Sequence, residues 1–405
     1  MDTTTATSTL ASPASRRINS IDVLRGLAMA IMALDHTRDY FYNNAFMEDP
    51  MDYATTYPAL FFTRWVTHFC APVFVLLAGT SIYLQSLRKP KAALARYLLV
   101  RGGILFLLEF TVINFGWFFN IGFHSLVLQV IGTLGLGMVL MAGLIYWPMW
   151  AIAAFGFIIV AGHNLFDGVH APQDAWWRLP WSLLHESNFF PFGANRGFFN
   201  RYPILPWVGL MACGYVLGQW FRAEVAPADR FKKLMLWGAG LTVLFIALRY
   251  VNAYGNPRPW HIQRSELFTA LDFFNTEKYP PSLQFLLMTI GPSLIALALL
   301  ERWPGRWQQP LKLLGTVPLF FYILHIYLIH ALLLVAVVAV GGDPSVVVIN
   351  FAAPIDPNAP PPQGSGIYLP GTYAIWLLVV AICYAACTWY ARIKAKHPAS
   401  LLRYL

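Results

Sequence analysis

Arg25 and His36 stand eleven residues apart in RGLAMAIMALDH, near opposite ends of the first strongly apolar segment of the chain. On a helix that spacing is about 16 Å along the axis at 1.5 Å per residue. An apolar helix that keeps an ionisable group near each end bears a solvation cost, which marks such residues as candidates for function. The guanidinium at one end can hold an anion, and the imidazole at the other can move a proton near neutral pH.

The neighbours of these two residues carry further chemistry. Asp22 and Arg25 are three apart and can pair on one helix face. The segment closes on Asp35-His36-Thr37-Arg38-Asp39, where the Asp39 carboxylate is placed to hold the His36 imidazole and Asp35 to neutralise Arg38. A carboxylate-oriented histidine suits a general base that deprotonates a hydroxyl or amine. In the next apolar segment Arg64 and His68 share a face at the same expected depth, with Pro72 able to open the backbone ladder beside a cavity. His36, Asp39, His68, Arg64 and Asp35 therefore form the expected catalytic set. Lys91, Arg96 and Arg101 gather with Arg25 at the opposite end, where they could hold a phosphorylated carrier. Arg38, mid-span Glu109, Lys278 in NTEKYPPS, and His325 and His330 in FYILHIYLIH are the expected substrate contacts.

These residues need a scaffold, and composition says which. The 405 residues are 58% hydrophobic and 12% charged, with a mean hydropathy of +0.54; a soluble chain carries about 25% charged residues. Apolar runs long enough for a hydrocarbon core of about 30 Å recur throughout. We expect an all-α polytopic bundle of about ten spans (eleven at most), near 20–41, 61–85, 96–119, 124–144, 147–164, 203–221, 232–252, 282–300, 312–340 and 370–391. The ninth is long enough to kink or break near Pro318. With both termini in the cytoplasm, most lysines and arginines fall on the inner side, as the positive-inside rule requires. Because the formal charge of +9 follows topology in this way, it gives no reason to invoke nucleic acid. Residues 1–19 read as a polar tail without a signal peptide's apolar core, 20–392 as one transmembrane domain, and 393–405 as a second tail.

The long loop near 165–202 is rich in Trp, Phe, His and Arg. It suits either an interfacial belt or stacking against a sugar ring. The four cysteines lie in apolar segments; Cys383 and Cys387 share a helix face, but nothing beside them completes a zinc set, and no metal is expected.

The stretch Arg16-Ile18-Ser20-Ile21-Asp22-Arg25-Gly26-His36 resembles the opening helix of the heparan-alpha-glucosaminide N-acetyltransferase-type catalytic domain (DUF1624). Pro203-Pro206-Trp207-Gly209-Gly214-Gly218, Lys278-Tyr279-Pro280-Pro281-Ser282 and Gly315-Pro318-Phe321-Tyr322-His325 are similar to bacterial members of that group. The resemblance implies acyl transfer across a membrane, with cytoplasmic acetyl-CoA or another acyl-CoA as donor and a far-side acceptor, glycan or lipid-linked. It implies a bacterial inner-membrane protein among membrane lipids, with a homodimer as one arrangement to be expected. His36 matches the essential histidine of the related bacterial O-acyltransferases; the lysosomal enzyme instead carries its histidine in the loop after the first span, and residues 40–60 here contain none. A proton-coupled transporter using the same polar cluster is the alternative reading, and a non-catalytic membrane assembly protein a third.

Overall fold

Helix α1 (Asn19–Phe41) is the expected first span and, although it carries charged side chains near both ends, lies at the centre of the fold. Its 23 residues reach about 34 Å, and most of its side chains, charged ones included, are buried. In the computed structural model, which describes residues 18–43, 49–353 and 363–397, α1 is enclosed by α2 (Pro58–Thr67), α3 (Cys70–Ser86), α12 (Leu283–Arg302), α13 (Gln308–Thr316), α14 (Pro318–Ala339) and α15 (Leu369–Lys396). A helix shielded by protein on all sides can carry Asp22, Arg25, Asp35 and Arg38, because none of them meets lipid.

Around this centre lie α4 (Lys91–Leu108), α5 (Asn114–Phe118), α6 (Val130–Leu144), α7 (Met149–Gly162), α8 (Arg178–Leu184), α9 (Ile204–Leu217), α10 (Pro227–Val251) and α11 (Glu266–Phe274). Eight helical stretches are long and apolar enough to cross a membrane among the described residues: Pro58–Ser86, Lys91–Phe118, Met149–Phe166, Ile204–Phe221, Pro227–Val251, Leu283–Arg302, Pro318–Ala339 and Leu369–Lys396. α7, α10 and α15 turn exposed apolar side chains outward, among them Phe157, Leu236 and Leu377, as contact with lipid demands.

Several expectations are corrected in detail. The long stretch at 312–340 does break near Pro318, as expected, and is two helices rather than one span: the backbone leaves helical geometry at Val317, and Pro318 starts α14, where its missing N–H costs nothing. The span expected at 124–144 is helical only from Val130; Ser125–Leu128 is strand β1. The fold is therefore not purely helical. β1 pairs in parallel with β3 (Arg196–Asn200), and β2 (Asn188–Gly193) pairs antiparallel with β3, so the order is β1-β3-β2. The aromatic loop expected at 165–202 thus folds into α8 and a hairpin. The two tails, with Arg16, Arg17 and Arg403, fall mainly outside the described residues, although α15 runs on to Lys396.

Close packing relies on glycine. A Cβ on Gly26 would sit 1.8 Å from the Leu311 carbonyl oxygen, and one on Gly315 would sit 1.9 Å from that of Asp22. α1 and α13 therefore touch backbone to backbone, the small-residue contact typical of membrane helices. Gly79 on α3 and Gly214 on α9 make the same reciprocal contact.

Candidate active site

The α1 sequence puts Arg25 and His36 at the two ends of a buried helix, and each end opens on a cavity. At the His36 end a cavity of about 440 Å³ is lined by Asp35, His36, Arg38, Asp39, Arg64 and Lys278, together with Arg201, Tyr202 and Tyr279. At the Arg25 end a second, of about 270 Å³, is lined by Arg25, Ser81, Gln85, Tyr97, Arg101 and Lys394. Met32, Phe74 and Val130 belong to the walls of both, so among the described residues the side chains the two walls share are all apolar.

His36 does not take Asp39 as its partner. Its Nδ1 lies 2.7 Å from Nε2 of His325 on α14, with the two rings stacked at 5.0 Å between centroids. Nδ1 of His325 lies 2.9 Å from the Phe321 carbonyl oxygen. A carbonyl can only accept, so this nitrogen carries the proton. In a neutral His325 ring Nε2 is then the acceptor, and Nδ1–H of His36 is the donor. The chain from Phe321 O through His325 thus assigns the tautomer of His36 and leaves its Nε2 as a lone pair. Trp117 packs edge-on against the His36 ring at 4.6 Å.

Asp39 instead accepts from Arg38 at 2.5 Å. Asp35 joins two cations: Arg64 donates to its Oδ2 at 2.5 Å, and Arg38 pairs with its Oδ1 at 3.0 Å, as the i, i+3 spacing predicted. The reason for the exchange is economy of buried charge. Arg38 and Arg64, both inside protein, need carboxylates more than a neutral imidazole does. Lys278 is 7% exposed, and its ammonium lies 5.2 Å from the centre of the Tyr279 ring; the Arg201 guanidinium lies 4.7 Å from the same ring. Burial pushes the Tyr279 phenol up, but Lys278, Arg201 and Arg64 outweigh it and hold the group well below the usual tyrosine range.

Other expected residues are placed elsewhere. His68 is buried against Phe285 and does not line the His36 cavity; it lines an adjoining one with Asp272 and Asn275, whose wall shares Arg64, Lys278 and Tyr279 with that of His36. Glu109 lines neither principal cavity: it accepts from the Gly132 amide at 2.5 Å, and so caps α6, where a helix N-terminus favours negative charge. His330 is buried on Phe119, with its nitrogens 3.0 Å from the Gly116 carbonyl and 2.7 Å from that of Val347. It ties α14 to its neighbours.

At the other end Arg25 donates to Asp22 at 3.0 Å, to the Gly315 carbonyl at 3.1 Å and to Ser81 at 3.1 Å. Arg101 donates to the Tyr97 hydroxyl at 2.7 Å, while its buried Nε has no partner among the described residues. Arg96 and Lys91 are exposed and line neither cavity.

Reasoning from sequence missed Trp117, Arg201 and Lys394. Trp117 reaches His36 through a π-helical turn at Glu109–Ile113, a local irregularity common at functional sites. Arg201 directly follows β3, whose pairing with β1 brings it to the cavity.

Residues 17–250 match the model of the family described as heparan-alpha-glucosaminide N-acetyltransferase, catalytic. This covers more than half of the chain, which belongs to that family. No curated protein matches it.

Proposed function

From that membership and this geometry we propose that the protein is an integral-membrane acyltransferase that moves an acetyl group from a CoA thioester to a hydroxyl or amine, on a carbohydrate acceptor. The carrying observation is the bare Nε2 of His36, fixed by His325, at a cavity that meets a second, arginine-bearing cavity across three apolar side chains. The donor enters at the Arg25 end, which we assign to the cytoplasm, and Arg25, Arg101 and Lys394 hold its phosphates. The acceptor occupies the His36 cavity.

In the reaction His36 Nε2 takes the proton from the acceptor as its oxygen or nitrogen attacks the thioester carbonyl. Arg64 on the cavity wall opposes the developing oxyanion. Collapse breaks the C–S bond, and the imidazolium returns its proton to the departing thiolate, giving acetylated acceptor and free CoA. His68 lines the adjoining cavity, and no step is assigned to it.

The test is incubation of purified protein with radiolabelled acetyl-CoA and amino or hydroxyl sugars. Wild type should release CoA and label the sugar, and His36→Ala should bind CoA but not turn over. Absence of CoA binding in wild type, together with proton-coupled solute flux in liposomes, would instead establish the transporter.

A further inference from the structure

A second group of titratable side chains lies apart from the reaction path. His163 opens the 3-10 turn that ends α7, Asp167 follows that turn, and His185 caps the C-terminus of α8. Nδ1 of His163 is 3.3 Å from Nε2 of His185, which is 3.8 Å from Asp167 Oδ1. All three donor atoms lie within 4.8 Å of one another. We propose that His163, Asp167 and His185 bind one divalent cation of the zinc class, with the fourth position left to water.

The separations support this assignment. Two imidazole nitrogens on a tetrahedral zinc, each at about 2.0–2.1 Å, stand roughly 3.3 Å apart. Two nitrogens and one carboxylate select zinc, cobalt or nickel over magnesium or calcium, which prefer oxygen.

The ligands are also prepared. Nε2 of His185 approaches the His163 carbonyl at 2.8 Å and so carries a proton, which leaves Nδ1 of His163 as a lone pair facing it. Nε2 of His163 is buried without a partner among the described residues. Asp167 Oδ2 accepts from Asn164 at 2.8 Å, orienting the carboxylate and leaving Oδ1 free; supporting bonds of this kind are usual around metal ligands. Both rings are buried, and Trp181 stacks on His185 at 5.4 Å, while Asp167 keeps 20% of its side chain exposed as a way in. Binding requires only that the His185 proton move from Nε2 to Nδ1 as the cation takes its place.

The site would pin the wall of the reaction cavity. Asn200, next to Arg201, donates to the Ser182 carbonyl on α8 at 2.5 Å. Asn164 accepts from the Leu283 amide at 2.8 Å, just beyond Lys278 and Tyr279.

The test uses the full chain, without a histidine tag, in detergent, stripped with EDTA and titrated with Zn²⁺ or Co²⁺. One equivalent should bind at micromolar affinity or tighter, raise the unfolding temperature, and with Co²⁺ give visible absorption. Asp167→Asn, at a partly exposed position, should weaken binding at least tenfold, and His170→Ala, on an exposed neighbour, should not. His185→Cys should retain Co²⁺ and add a thiolate-to-cobalt charge-transfer band. Absence of stoichiometric binding in wild type, or binding unmoved by Asp167→Asn with no thiolate band in His185→Cys, would overturn the proposal.

Discussion

Replacing His325 by leucine removes the acceptor for His36 Nδ1–H and leaves every charged residue of the reaction cavity in place. The bond broken is 2.7 Å long and inside protein. Leaving a buried donor unpaired costs about 1–3 kcal/mol. His36 can escape that cost by moving its proton to Nε2 or by turning its ring, and either change removes the lone pair that acts as base. Holding the productive state against this penalty corresponds to roughly a 5- to 150-fold change in population. His325→Leu should therefore lower kcat by about that factor with KM for either substrate little altered, whereas His36→Gln should lose the full general-base contribution, about 10²–10⁴. His325→Gln offers an amide oxygen as acceptor and should recover much of the loss. The double variant at 36 and 325 should be no slower than His36→Gln alone, because His325 acts only through His36. Steady-state CoA release with a thiol reagent measures all four. A His325→Leu enzyme within threefold of wild type, or additive losses in the double variant, would refute the reasoning.

Three further outcomes follow. Arg101→Gln should raise KM for the acyl-CoA about tenfold with kcat preserved, and Arg96→Gln should change neither, since of the two Arg101 alone lines the cavity at the Arg25 end; isothermal titration with CoA separates them. Gly315→Ala forces a Cβ to 1.9 Å from the Asp22 carbonyl oxygen, so α1 and α13 must part at a cost of about 1–3 kcal/mol, seen as a lowered unfolding temperature and weaker CoA binding because Arg25 loses the Gly315 carbonyl. Tyr279 is held below its usual range by Lys278, Arg201 and Arg64. The folded state then binds fewer protons than the unfolded state between the lowered value and the ordinary one near 10, so stability should rise with pH across that window and be lost as pH falls through the lowered value. Tyr279→Phe should flatten the slope and remove a tyrosinate that forms early in an absorbance titration.

The residues at the heart of the site were legible because buried ionisable groups in apolar segments are expensive and few. Arg25, Asp35, His36, Arg38, Arg64 and Lys278 all reach one of the two cavities. Their partners were not legible. Helical spacing offered Asp39 to His36, whereas the actual partner, His325, is 289 residues away and arrives only when α14 packs on α1. Short-range periodicity also hid β1: Ser-Leu-Val-Leu is equally good as the start of an apolar helix, and its strand pairing with β3 is a tertiary fact. Glu109 was singled out for burial correctly, but burial alone does not distinguish a ligand contact from a helix cap. Likewise α1 was found as an apolar run, and its charges are tolerable because six helices enclose it.

Met32, Phe74 and Val130 stand where the two cavities meet. These three side chains form an apolar partition between the two cavities. In the proposed reaction only the thin thioester arm of the donor has to cross it.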